Sequence, residues 1–131
     1  MHLRRPGPYQ LQAAIAACHA TAKSADETDW AEIVILYDRL SQLVPTPVVE
    51  LNRAVAVAMA LGPQAGLDLV EEIQARGDLV DYYLLPATRA DLLRRLGRTP
   101  EARSAYARAL ELAPTDAERR YLSKRLAETS V

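Results

Sequence analysis

Few side chains in this sequence could do chemistry, and their spacing works against it. His2, His19 and Cys18 make up the whole stock of histidine and cysteine. Cys18 and His19 are neighbours in the chain, and neighbours on a helix point about 100° apart, which makes them poor co-ligands for a metal. Cys18 is expected as a small buried hydrophobe and His19 as a partly exposed polar residue. Serines 24, 41, 104, 123 and 130 carry no G-x-S-x-G context. No glycine cluster forms a phosphate loop. Seventeen carboxylates are scattered along the chain, with no base, nucleophile or oxyanion donor grouped around any of them. The sequence therefore predicts no catalytic residue, no metal and no cofactor.

One charged group stands out. Arg89, Arg94, Arg95, Arg98, Arg103 and Arg108 fall within 20 residues, against Asp91 and Glu101. As a phosphate stripe this would bind nucleic acid. Single-strand binding would also need interleaved aromatic residues, which are missing here. The alternative is a solvated helix hairpin in which Asp91 pairs with Arg94 or Arg95 at three- or four-residue spacing. The sequence favours that alternative.

The elements that must position these residues are helical. The chain has 131 residues, enough for one ordinary domain with its own core. Half of them are hydrophobic, a quarter are charged and the net charge is -1, so no global field draws the chain to nucleic acid or an anionic membrane. A lone cysteine cannot form an internal disulfide and fits a reducing cytoplasm. The apolar run 54–61 is too short for a bilayer, and the N-terminal arginines precede no apolar stretch of a signal peptide. Residues 1–6 are expected as a flexible tail and 7–131 as one helical-repeat domain.

Apolar periodicity predicts helices over Pro8–Ala22, Asp29–Val44, Pro47–Leu61, Pro63–Arg76, Tyr82–Leu96, Pro100–Leu112 and Asp116–Glu128. Ile33, Leu36, Tyr37, Leu40 and Leu43 form the apolar face of the second. Pro47, Pro63 and Pro100 follow Thr46, Gly62 and Thr99, so they take first helical positions, where no N–H is needed. Gly62, Gly77 and Gly97 close apolar stretches as left-handed caps. Thr115-x-x-Glu118 and Asp29-x-x-Glu32 are capping-box patterns.

A near-repeat explains the arrangement. "YDRLSQLVPT" begins at Tyr37 and "YARALELAPT" at Tyr106, with five identities in ten that include Pro45 and Pro114. Their separation is close to two periods of about 34 residues, the length of a tetratricopeptide (TPR) repeat. "NRAVAVAMALG" up to Gly62 and "TRADLLRRLG" up to Gly97 mark a middle copy. In the last copy Ala102 and Ala109 should let two helices approach, while Tyr106 fills the gap between them. Tyr37 and Tyr106 are expected at equivalent buried positions. The predicted fold is all-α: a right-handed superhelix of three TPR-like helix pairs plus a C-terminal capping helix. That last helix would cover the end of the stack with Ala117, Tyr121, Leu122 and Leu126.

"GPYQLQAAIAACHA" at 7–20 and "YYLLPATRADLLRRLGRTPEAR" at 82–103 are more specific than generic repeat sequence. Together with the intervening "DWAEIVILYDRLSQLVPTPVVELNRAVAVAMALGPQAGL", they resemble the TPR-like C-terminal extension of extracytoplasmic-function (ECF) RNA polymerase sigma factors. The resemblance runs from Gly7 to about Leu126. It implies two promoter-recognising modules N-terminal to this segment, so DNA contact only through domains absent from this chain. The chain accordingly looks like a C-terminal fragment or a separately made domain.

The repeat's concave groove positions fall on Gln12 and His19, then Asn52, Val55 and Met59, then Thr88, Asp91 and Arg95. The lysine–asparagine clamp that some such repeats use for a peptide carboxylate is not reproduced. The resemblance implies a cytoplasmic, monomeric, non-enzymatic regulatory domain. Its partners would be proteins: the sigma modules, core polymerase or a regulator. A free-standing TPR adaptor and a helical-repeat nucleic-acid binder are the alternatives. Far-UV circular dichroism should show helix without substantial strand; a strand-rich spectrum would refute the repeat.

Overall fold

The computed structural model describes residues 7–21 and 28–129. The expected tail 1–6 with His2, the end of the first helix at Ala22, and Ser24 and Ser130 lie outside the described residues. Among the described residues every regular element is a helix: α1 (Pro8–Thr21), α2 (Trp30–Leu43), α3 (Pro47–Leu61), α4 (Pro63–Ala75), α5 (Leu84–Arg95), α6 (Thr99–Leu112) and α7 (Asp116–Glu128). Each packs on the next, and α3 also touches α5 across the stack. That is the pattern of paired helices whose first members line one face.

Local chemistry sets the helix ends. Thr46 Oγ1 accepts the Val49 N–H at 3.3 Å, Asp29 Oδ1 accepts the Glu32 N–H at 3.1 Å, and Thr115 Oγ1 accepts the Glu118 N–H at 3.2 Å. Each satisfies a donor that the first turn leaves without a partner. Gly77 and Gly97 take φ of 78° and 77°, as left-handed caps require, whereas Gly62 ends α3 at φ 108° and ψ 159°, an extended positive-φ conformation that only glycine adopts readily. Thr99 does not cap α6. It is already helical, and Arg98 precedes it with no side-chain cap bond. Leu79, between α4 and α5, also has positive φ, at 59°. α5 begins at Leu84 rather than Tyr82, because the chain first turns through Tyr82 N–H to the Leu79 carbonyl.

The helices approach closely where the repeat has small residues. Gly66 is buried on α4, and a Cβ added there would lie 2.5 Å from Ala58 Cβ and 2.8 Å from the Ala54 carbonyl oxygen. Ala102 lies 36 residues on, at the matching position of the next pair, and is wholly buried with Ala90 and Ala109. Tyr106 and Val70, related by the same offset, are both at 0% exposure and fill the space beside these contacts. α3 supplies Leu51, Ala54 and Ala58 to the large core that continues through α4–α7, and Val49 and Ala56 to a smaller one with α1 and α2. A helix that packs on both sides must be apolar nearly all round, which accounts for the run at 54–61.

The first pair departs from the repeat. Tyr37 is only half-buried, not enclosed like Tyr106. At the position matching Ala102 the first pair carries Ile33, wholly buried. The larger side chain fills the contact itself, so no deep gap remains for the tyrosine. Leu43 is 52% exposed, because the chain leaves α2 at Val44 and Val44 joins the core in its place. On α7, Leu122 is buried and Leu126 packs on the core, but Tyr121 and Ala117 stay exposed. Cys18 is half-buried.

Gly66→Ala should destabilise the fold by about 1–3 kcal/mol, since overpacking here outweighs the gain in helix propensity. Thermal or urea unfolding measures it, and an unchanged midpoint would show that α3 and α4 can separate freely.

Candidate functional site

The eight expected groove residues fall on α1, α3 and α5, the first members of the three pairs. α3 and α5 meet directly: Arg95 Nη1 lies 3.2 Å from Met59 Sδ. Gln12 of α1 and Asn52 of α3 share a shallow hollow with Ile15, Leu40 and Tyr37, of about 180 Å³. Thr88 and Asp91 of α5 share a larger one, about 400 Å³, with α7. Six of the eight thus line one of two hollows or form the α3–α5 contact, and Val55 is 39% exposed on α3. His19 stands apart: it is exposed and its ring meets Trp30 of α2 edge-on, with centroids 5.3 Å apart.

Burial and hydrogen bonding organise the α5–α7 station. Asp91 Oδ1 accepts the Tyr106 hydroxyl, and Arg94 Nε donates to the same hydroxyl oxygen at 3.2 Å. Arg94 Nη2 also lies 3.9 Å from Asp91, so the expected pairing falls to Arg94 rather than Arg95. Across the hollow the Tyr83 hydroxyl donates to Glu118 Oε1 at 2.8 Å, and the Thr115 hydroxyl to Glu118 Oε2 at 2.9 Å. These two bonds hold the Glu118 carboxyl below the usual carboxylate range. The Glu118 anion in turn pushes the Tyr83 phenol up to about 12. Burial, then the bond to Asp91, does the same to Tyr106. Burial also raises Tyr37.

Tyr83, Glu118 and Tyr121 were not among the expected groove residues. Glu118 has the signature of a helix cap, and that pattern gives no hint that its carboxylate also faces a groove. Tyr83 immediately precedes α5 with helical backbone angles, but its partner Glu118 lies 35 residues on in the chain, which helical periodicity cannot reveal.

The arginine-rich hairpin is mostly neutralised. Arg98 pairs with Glu101, Arg108 with Glu111 at 3.1 Å, Arg89 with Glu71 at 3.5 Å, and Arg94 with Asp91. Such pairing leaves little free positive charge for a phosphate stripe. On the side formed by α4 and α6, Arg89 and Arg108 border a separate hollow of about 220 Å³ with Val80 and Leu85, where Arg89 Nε is buried without an acceptor. Among the described residues no group of three or more metal-capable side chains converges, and no helix is long and apolar enough to cross a membrane.

The fold is that of known TPR domains. The first TPR domain of the human RPAP3 protein superposes with a TM-score of 0.63 over 94% of this chain and 97% of that one, at 23% identity. An uncharacterized protein of Rhizobium meliloti (strain 1021) is 50% identical over 126 residues. The match takes in 96% of this chain but only 29% of that relative's length. No protein-family model matches the chain.

Phenol titration followed by ultraviolet absorbance should find two tyrosines ionising near 12, one of which disappears in Tyr106→Phe. Raised folded-state values stabilise the protein fully below pH ~10, the unfolded phenol's value, and that contribution is lost as pH climbs through 12. Stability should therefore fall over that window. A normal titration of all tyrosines would break the Asp91–Tyr106 and Glu118–Tyr83 pairs.

Proposed function

We propose that this chain is a regulatory protein-interaction domain of an ECF-type RNA polymerase sigma factor, acting in the cytoplasm through its concave face. The observation that carries the proposal is that face itself. Asn52 and Arg95 are exposed, and Thr88 half-exposed, on helices whose other sides supply the core. A purely structural surface between helices would favour alanine or leucine there. Polar side chains are retained at little cost where water or a partner can reach them. A TPR-like stack presents such a face to a peptide or helix of another protein.

The sigma-factor assignment rests on the resemblance of 7–20 and 82–103 to the extension of that family. It agrees with a relative more than three times longer than the shared segment, which leaves room in that protein for further modules. The partners in this reading are the sigma factor's promoter-binding modules, core polymerase or a regulator. DNA is met by those modules, not by this domain, in keeping with its paired arginines. The domain works as a monomer, without cofactor or catalysis.

The test joins Asn52→Ala to Arg95→Ala in the full-length sigma factor. Neither side chain is buried, so stability should change by less than about 0.5 kcal/mol. Capture of the sigma modules or polymerase should weaken by about fivefold or more, the effect of losing an interface residue worth about 1 kcal/mol, and promoter output should change with it. Unchanged capture and unchanged output would remove the concave face. The opposite surface, with Arg98, Arg103 and Arg108, would then be the interface. Capture of an unrelated protein alone would instead make the chain a free-standing adaptor.

A further inference from the structure

The concave face reverses its charge within one turn of α5. Arg95 contacts Met59 and has no carboxylate partner among the described residues. Asp91 is four residues earlier on the same helix face, about 6 Å away along the axis at 1.5 Å per residue. The hollow that Asp91 borders has a second carboxylate in its wall, Glu118, and no lysine or arginine. The remainder is largely apolar, with Leu84, Ala87 and Leu122 forming the lining and Tyr121 left 47% exposed at the edge.

The two carboxylates are fixed, and no cation in the hollow's own lining pairs with either. Both oxygens of Glu118 accept from hydroxyls, which orient the group and leave its charge intact. Arg94, which does not line the hollow, lies 3.9 Å from Asp91 and partly offsets its charge. Arg125, the other nearby cation, acts on Asp91 through space without a direct contact; it lies over the Tyr121 ring at 5.6 Å and pairs with Glu128 at 3.5 Å. A carboxylate held in place against apolar walls gains more from an incoming cation than a freely hydrated one does.

From this the geometry points to a definite occupant: an amphipathic helix of a protein partner that inserts a lysine or arginine between α5 and α7 and sets an acidic side chain, four residues away, against Arg95. This rests on the concave face being the partner surface. The partner's spacing follows from the domain's own, since side chains four apart on a helix stand about 5–6 Å from one another. Leu84, Ala87 and Leu122 receive the apolar part of the same helix.

Two synthetic amphipathic helical peptides test the assignment by fluorescence anisotropy. One carries Lys and Glu four residues apart on its apolar edge; the other has that Lys replaced by Gln. The protein is used as wild type, Glu118→Gln and Asp91→Asn, each of which keeps an acceptor oxygen and drops the charge. The Lys peptide should bind wild type about tenfold more tightly than the Gln peptide, the low end for close interfacial charge pairs, and lose most of that advantage in either variant. Binding of the Gln peptide should not change between variants, and added salt should narrow the gap. Equal affinity of the two peptides for wild type would overturn the charge assignment and leave the face as a partner surface. A Lys advantage that survives in both variants would place the cation elsewhere and also overturn it. Failure of either peptide to bind, together with an inert Asn52→Ala/Arg95→Ala variant, would remove both the assignment and the surface.

Discussion

One added methyl group at Gly66 would collide with Ala58 Cβ at 2.5 Å and with the Ala54 carbonyl oxygen at 2.8 Å. That contact sets the distance between α3 and α4, and α3 is the element that both cores share. Ala102 repeats the same solution between α5 and α6, with Tyr106 sealing the space beside it. Close approach at one small residue, with a larger side chain one turn on, fixes the tilt of each pair. Once the tilt is fixed, the next pair has one place to dock, and the first helices of successive pairs come to share a face.

That face owes its chemistry to the same packing. Tyr106 can reach Asp91 because its ring is threaded between helices, so a core aromatic residue holds a groove carboxylate. Glu118 is held in a parallel way, by the hydroxyls of Tyr83 and Thr115. In both cases a structural residue orients a charged one. The groove is thereby preorganised, which lowers the entropy lost when a partner binds. The opposite side is built differently. Its arginines pair with carboxylates on their own or neighbouring helices, and exposed pairs of this kind add little to stability.

The first pair is the least regular part of the repeat. Ile33 occupies the position that Ala102 and Gly66 keep small, and Tyr37, half-buried, borders the hollow with Gln12 and Asn52. The station nearest α1 is therefore neutral and aromatic, the middle one carries Arg95, and the last carries two carboxylates. A gradient of this kind along one groove favours a ligand in a single orientation.

The seven helices among the described residues, most of their caps and the two-period repeat were legible in the sequence, because those features depend on neighbours in the chain. Thr46, Asp29 and Thr115 cap over three residues, Gly62 and Gly97 end helices by their own φ, and proline placement needs only the missing N–H. The buried places of Tyr106, Ala102 and Ala109 followed from the repeat pattern. Contacts between distant segments did not. Nothing near Glu118 in the chain announces Tyr83, 35 residues away. Periodicity also put Tyr121 and Ala117 on the covering face of α7, whereas in the structure they border an open hollow shared with α5. Local chemistry writes where a helix begins, ends and turns its apolar side. Which polar groups then face one another depends on helix-to-helix distances and tilts, and those are set only when the side chains of the whole stack pack together.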